Sequence, residues 1–149
     1  MSSVRDLMQR DVATLEADDT LDLADDVMRL GRVRHFPIMA HGELVGVLSQ
    51  RDLYRAAASS LLQLHYDASR AWLASVSVKA VMSTALHTIG PDRPIRDAVD
   101  MMLRERIGCL PVVEDGKLVG LLSETDCLRH LSNLLAPGEE RHTRRDVPL

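Results

Sequence analysis

Aromatic side chains are scarce in this sequence: one Trp, one Phe and two Tyr make up 3% of its 149 residues. So few rings cannot build a stacking platform for single-stranded nucleic acid. A basic excess is missing too. The formal net charge of -4 and a pI near 5.8 argue against a generalised nucleic-acid surface. No apolar run approaches membrane-spanning length, and the opening MSSVRDLMQRD is charged throughout, unlike a signal peptide. The two cysteines, Cys109 and Cys127, show neither a CxxC spacing nor a His partner pattern. They read as free thiols of a reducing cytoplasm, where the protein is expected to reside. A nucleophile–base pair, a metal-ligand spacing and a phosphate-cradling glycine loop are all lacking. Neither an enzyme nor a metal site is expected, so no catalytic residue and no metal ligand is assigned.

What the sequence does hold is a hydrophobic fraction of 46%, enough at this length to bury a sizeable core. It also holds an internal repeat. Sliding Val4–Leu53 onto Val78–Cys127 requires an offset of 74 residues and no gap. Val4/Val78, Met8/Met82, Thr14/Thr88, Asp18/Asp92, Arg32/Arg106, Pro37/Pro111 and Gly42/Gly116 coincide, as do Gly46/Gly120, Ser49/Ser123 and Asp52/Asp126. Leucine and valine matches can arise from shared periodicity, but matched glycine, proline, serine and aspartate mark shared turns and caps. The chain is a tandem of one unit.

Each copy centres on one stretch, GELVGVLSQRD at Gly42–Asp52 and GKLVGLLSETD at Gly116–Asp126. His41-Gly42 and Asp115-Gly116 sit where a tight hairpin turn needs positive φ. The apolar run after each turn predicts a strand. Ser49 and Ser123 then fall at a helix N-cap, with Asp52 and Asp126 at the third helical position. Upstream in copy one, Val4–Met8 is a short lead-in and Ala13–Leu15 a short extended segment. Thr20 caps a helix with Leu21, Ala24, Val27 and Met28 on its core face. Asp22, Asp25, Asp26 and Arg29 take the other face as a solvated surface, and Gly31 ends the helix. His35–Met39 is a strand whose Pro37 implies an edge or a position lacking a ladder bond. In copy two, Pro94 lies in the first turn of the corresponding helix. The fold class expected is α/β (α+β), two β-α-β-β-α repeats.

The domain reading is residues 1–60 for repeat one, 61–77 for a helical linker, 78–136 for repeat two and 137–149 for a mobile tail. The linker carries a second helical stretch around Trp72. With Leu61, Leu64 and Trp72 apolar, packing across the joint or against a second subunit is expected, and with it a homodimer.

The paired pattern V-R-D-L-M … T-L … H-F-P-I-M … G-E-L-V-G-V-L-S-Q-R-D and V-K-A-V-M … T-I … C-L-P-V-V … G-K-L-V-G-L-L-S-E-T-D resembles two cystathionine-β-synthase-type (CBS) domains. The resemblance covers nearly the whole chain apart from linker and tail. It implies a pseudo-twofold CBS pair, or Bateman module, with two clefts between the sheets, and modules that stack into disc-shaped dimers. It further implies a regulatory adenosyl ligand, AMP, ADP, ATP or S-adenosylmethionine, rather than a required cofactor. In the family the aspartate of Ser/Thr-x-x-Asp holds the ribose hydroxyls and the hydroxyl residue lies near phosphate. Those roles carry over to Asp52 and Asp126, and to Ser49 and Ser123. Val33, Phe36 and Pro37, with Ile107, Leu110 and Pro111 from the other copy, suit a cleft wall for a purine. Thr14 and Thr88 correspond to strand ends that reach the base edge.

The physics of the Ser-x-x-Asp pair supports two roles at once. A carboxylate accepts two hydrogen bonds from a cis-diol, each worth roughly 1.5–3 kcal/mol because the acceptor is charged. The same residues form a capping box. The copies differ in basic residues: copy one has Arg32, Arg34 and His35 before its proline and Arg51 beside Asp52, where copy two has Arg106, Gly108, Cys109 and Thr125. Family members place basic residues there to meet phosphates. The reading is therefore a stand-alone regulatory, energy-sensing module that binds an adenosine-containing small molecule and signals to a separate, unidentified protein. The alternative is a dimerisation or scaffold module with no physiological nucleotide.

Overall fold

The computed structural model describes residues 2–61 and 66–135. It has mixed α+β architecture and divides into two compact units. Copy one contributes helix α1 (Val4–Leu7), strand β1 (Leu15–Glu16), helix α2 (Leu21–Gly31), strands β2 (His35–Ala40) and β3 (Glu43–Ser49), and helix α3 (Gln50–Leu61). The linker helix is α4 (Tyr66–Ser75). Copy two contributes a 3-10 turn at Val78–Ala80, helix α5 (Ile95–Glu105), strands β4 (Cys109–Glu114) and β5 (Lys117–Ser123), and helix α6 (Glu124–Leu135).

Both hairpins turn as their sequences predict. His41 and Gly42 have φ of 52° and 76°, and Asp115 and Gly116 have 53° and 77°. Two successive positive φ angles match the twist of the flanking strands. In the first sheet, β2 lies between a parallel β1 and an antiparallel β3. Pro37 is thus in a central strand, opposite Val47. Its missing N–H costs no ladder bond to β3, because the Val47 N–H and C=O face Ser83 instead.

The units do not follow the repeat boundaries. One unit, the Asp52 unit, comprises Asp11–Thr88 with the hairpin tip Asp115–Leu118. The Asp126 unit takes the chain up to Arg10, Ile89–Glu114 and the chain from Val119 onward. Each copy's lead-in therefore packs with the body of the other copy. Val4 is fully buried in a core with Leu110, Val112 and Leu122, while Val78 is fully buried with Phe36, Ile38 and Leu48. Ion pairs repeat the exchange at the matched positions: Lys79 Nζ lies 2.8 Å from Asp18, and Arg5 Nη2 lies 3.2 Å from Asp92. Gly46 and Gly120 allow the close approach. A Cβ on Gly46 would lie 2.6 Å from Met82 Sδ and 2.8 Å from the Ser83 carbonyl oxygen. On Gly120 it would lie 2.7 Å from Met8 Sδ and 2.8 Å from the Gln9 carbonyl oxygen.

Two local expectations are corrected. Asp25 is not on a solvated face; it is buried at 4% exposure between Arg29, at 2.9 Å, and Arg70 of α4, at 3.2 Å. The linker helix covers this side of α2 and brings the counter-charge that makes a buried carboxylate tolerable. Gly31 is the last residue of α2, as expected, and Arg32 after it takes the left-handed conformation (φ 51°), as Arg106 (φ 55°) does after α5. Pro94 caps α5 from outside at the N-cap rather than sitting in its first turn.

Candidate functional site

At the end of β3 the chain passes directly into α3, which places Ser49 at the junction and Asp52 at the third helical position. The Ser49 N–H donates to Asp52 Oδ2 at 3.0 Å, and the Asp52 N–H donates to Ser49 Oγ at 3.0 Å. Two otherwise orphaned donors of the helix start are thereby satisfied. Copy two repeats the exchange: the Ser123 N–H and Oγ–H both donate to Asp126 Oδ2 at 2.9 Å, and the Asp126 N–H donates to Ser123 Oγ at 3.3 Å. Reciprocal capping is not itself a mark of a binding site. Ser3 and Asp6 make the same exchange on the short helix α1, with Ser3 N–H to Asp6 Oδ2 at 2.9 Å.

What differs is the second carboxylate oxygen. Asp52 is half-buried, and its Oδ1 has no hydrogen-bond partner among the described residues. Asp126 is buried at 7% exposure. Its Oδ1 accepts from the Gln9 side-chain amide at 3.4 Å and lies 3.7 Å from Arg129 Nη1. Gln9 is a functional candidate absent from the sequence reading. The signal that could have found it is the repeat itself, which aligns Gln9 with Ser83 at a lead-in position that bridges to β5 in one case and β3 in the other.

Arg34 and His35, which precede the proline, and Arg51, which flanks the aspartate, lie at the first junction, while the second junction has Arg129 beside Asp126. The Arg34 carbonyl accepts the Gln50 N–H at 2.8 Å, which ties Arg34 to the start of α3 beside Arg51. His35 pairs with Ser49 across the sheet. The structure thus brings Arg34, His35, Ser49, Arg51 and Asp52 together at one end of α3. Arg34 and Arg51 are exposed, and neither guanidinium has an ion-pair partner among the described residues. At the second junction the matching contact runs from the Glu124 N–H to the Gly108 carbonyl at 2.9 Å, with Thr125 in the place of Arg51. The Cys127 thiol next to Asp126 is pushed above its ordinary pKa by burial and by the Asp126 charge, so it stays protonated and a poor nucleophile.

Other expected site residues lie elsewhere. Phe36 and Leu110 are fully buried in the two hydrophobic cores, with Pro37 and Pro111 fully buried beside them. The surface of these four side chains is taken up by core packing. Val33 and Ile107 are only half-buried. Thr14 and Thr88 are both exposed, immediately before β1 and before the Ile89–Val112 bridge. The side chains of Leu61 and Leu64 lie outside the described residues. Trp72 packs against the core of its own unit. On α6, by contrast, Leu128, Leu131, Leu134 and Leu135 are exposed. Among the described residues no group of three His, Cys, Asp or Glu could hold a metal ion, and no helix is long and apolar enough to cross a membrane.

A family model for the CBS domain matches residues 4–59 and again 78–133. The chain belongs to the CBS-domain family. Its tandem CBS pair is 33% identical to the AcuB protein of Vibrio cholerae, with a TM-score of 0.75 over 94% of this chain and 97% of that one. The CBS domain pair of protein MJ0100, solved in complex with 5′-methylthioadenosine and S-adenosyl-L-methionine, shares the fold. It has a TM-score of 0.77 at 21% identity, over 90% of this chain and 98% of that one. CBS pairs also occur within larger enzymes. The chain is 32% identical over 132 residues to the inosine-5'-monophosphate dehydrogenase of Korarchaeum cryptofilum, 88% of this chain but 25% of that enzyme's length.

Proposed function

We propose that this CBS pair is a cytoplasmic regulatory module that binds an adenosine-containing ligand at its Ser-x-x-Asp junctions and signals to a separate protein. The observation that carries the reading is Asp52 Oδ1, a carboxylate oxygen with no partner among the described residues, at a helix start shared with Arg34 and Arg51. A carboxylate oxygen in that position accepts ribose hydroxyls, and the guanidinium groups of two arginines that flank the helix start suit phosphates. The adenosyl ligands of the MJ0100 pair support the ligand class. The copy-one site is the one equipped for a polyphosphate such as ADP or ATP; a copy-two ligand would carry little charge.

Thermal shift against AMP, ADP, ATP, NAD and S-adenosylmethionine tests the reading, with Asp52→Ala as the control. The substitution is expected to weaken nucleotide binding by roughly 2–3 kcal/mol, the worth of a charged diol contact. The fold is expected to survive, since losing a carboxylate in the first helical turn costs about 0.3–1 kcal/mol. Loss of stability with no change in ligand response would make Ser49 and Asp52 caps alone and favour the scaffold reading. The homodimer that the family resemblance implies would cover the leucines that α6 leaves exposed. Light scattering showing only monomer at micromolar concentration would remove it.

A further inference from the structure

Resting on that reading, we propose that Gln9 is a built-in occupant of the Asp126 carboxylate, so that an adenosyl ligand fills the Asp52 site first and reaches Asp126 only when the Gln9 amide leaves. A carboxylate offers about four lone-pair sites. On Asp126 three hydrogen bonds are made and both oxygens are engaged: Oδ2 accepts from the Ser123 N–H and Oγ–H, and Oδ1 accepts from Gln9 Nε2 with Arg129 Nη1 3.7 Å away. On Asp52, among the described residues, only Oδ2 is engaged, by the Ser49 N–H. The Gln9 amide nitrogen donates just as a ribose hydroxyl does, and it stands on the oxygen that the hydroxyl would use.

Side-chain length, not backbone placement, creates the difference. Gln9 and its counterpart Ser83 are held alike by paired backbone hydrogen bonds. The Gln9 N–H and C=O bond Leu121, both at 2.9 Å, and the Ser83 N–H and C=O bond Val47 at 2.9 and 3.0 Å. The serine side chain is two heavy atoms shorter before its terminal polar group and makes no hydrogen bond to Asp52 among the described residues. The Gln9 contact, at 3.4 Å, is long for a hydrogen bond, which makes it displaceable.

Exchanging the two residues tests this, with AMP as the calorimetric probe and thermal melts as the folding control. Wild type is expected to bind one equivalent tightly, lost in Asp52→Ala and kept in Asp126→Ala. Gln9→Ser is expected to tighten a second equivalent about tenfold, and Ser83→Gln to weaken the first about tenfold. Both positions are exposed, so the melts should hold. Two equal sites in wild type, or AMP binding that neither exchange alters, would overturn the inference and leave the proposed function standing. No binding of any adenosyl ligand to wild type or to Gln9→Ser would overturn both.

Discussion

The Asp52 and Asp126 junctions carry the same Ser-x-x-Asp exchange, yet they are chemically unlike. One presents a half-buried carboxylate with an open oxygen beside Arg34 and Arg51. The other presents a buried carboxylate whose open oxygen is met by Gln9 and Arg129. The strands and helices around them superpose in kind: β2-β3-α3 in one, β4-β5-α6 in the other. The lesson is that a duplicated scaffold keeps its capping and its turns, while a few peripheral side chains decide what each copy can receive. Capping is a backbone requirement shared by both helices; charge and side-chain reach at the rim are not required by the fold.

The equivalence of the two cores is the first thing to probe, because the largest effect is expected there. Phe36 and Leu110 occupy matched, fully buried positions. Phe36→Ala should cost about 3–5 kcal/mol and Leu110→Ala about 2–5 kcal/mol in urea denaturation, because each leaves a cavity in a packed core. A loss below 1 kcal/mol at either would show that the copies are not packed alike.

Next comes the exchange of lead-ins. Gly46→Ala and Gly120→Ala should each destabilise by about 1–3 kcal/mol, since the new methyl meets a carbonyl oxygen of the crossing segment as well as a methionine. Thermal melts of the two variants should shift alike; a neutral result at one would mean that its lead-in yields without cost.

The charge difference should appear as a smaller, ligand-specific effect. Replacing Arg34 and Arg51 together by alanine should lower ATP affinity about tenfold and adenosine affinity little, because only ATP offers phosphates to exposed guanidinium groups. The ATP affinity of the wild type should also fall with ionic strength. Equal losses for ATP and adenosine in calorimetry would assign these arginines to the fold.

The smallest effect concerns acid. The Lys79 ammonium holds Asp18 below the ordinary carboxylate value of 3.8, the Thr20 hydroxyl does the same for Asp22, and the Ser3 N–H and hydroxyl do so for Asp6. Each depressed carboxylate contributes stability above the unfolded value that is lost as pH falls through the folded one. The loss therefore belongs below about pH 4, a window set by the unfolded Asp value. In an NMR titration Lys79→Ala should return Asp18 toward its ordinary value and leave Asp6 unmoved.

Much of this was legible in the residues. The two hairpin turns, the caps at Ser49 and Ser123 and the core face of α2 are local matters, decided by φ preference and helical period within a few residues. Arg34, Ser49, Arg51 and Asp52 could be grouped because a hairpin returns β3 to the start of β2. Asp25 was misplaced for a non-local reason: periodicity describes a helix against one core and cannot announce a linker helix covering its other side. Phe36 and Leu110 are apolar strand residues that suit a pocket wall or a core equally by composition, and only packing distinguishes the two. Gly31 ends α2 as its sequence position implies, and the left-handed turn that follows falls on Arg32, a residue with no local signal for it.

The sequence by itself determined the tandem repeat, the helix-strand-strand-helix order of each copy, the turns and the identity of the paired serines and aspartates, because each depends on spacing along the chain. The first strand expected of both copies forms in copy one as β1, while in copy two its place is held by the single Ile89–Val112 bridge. Only the tertiary structure decided that each lead-in packs with the other copy's body. The contacts joining Val4 to Leu110, or Gln9 to Asp126, span a sequence separation that carries no local pattern. That exchange places a glutamine on one carboxylate and, at the matched position, a serine paired with Val47 that makes no hydrogen bond to the other among the described residues, and so makes two copies of one motif into two different sites.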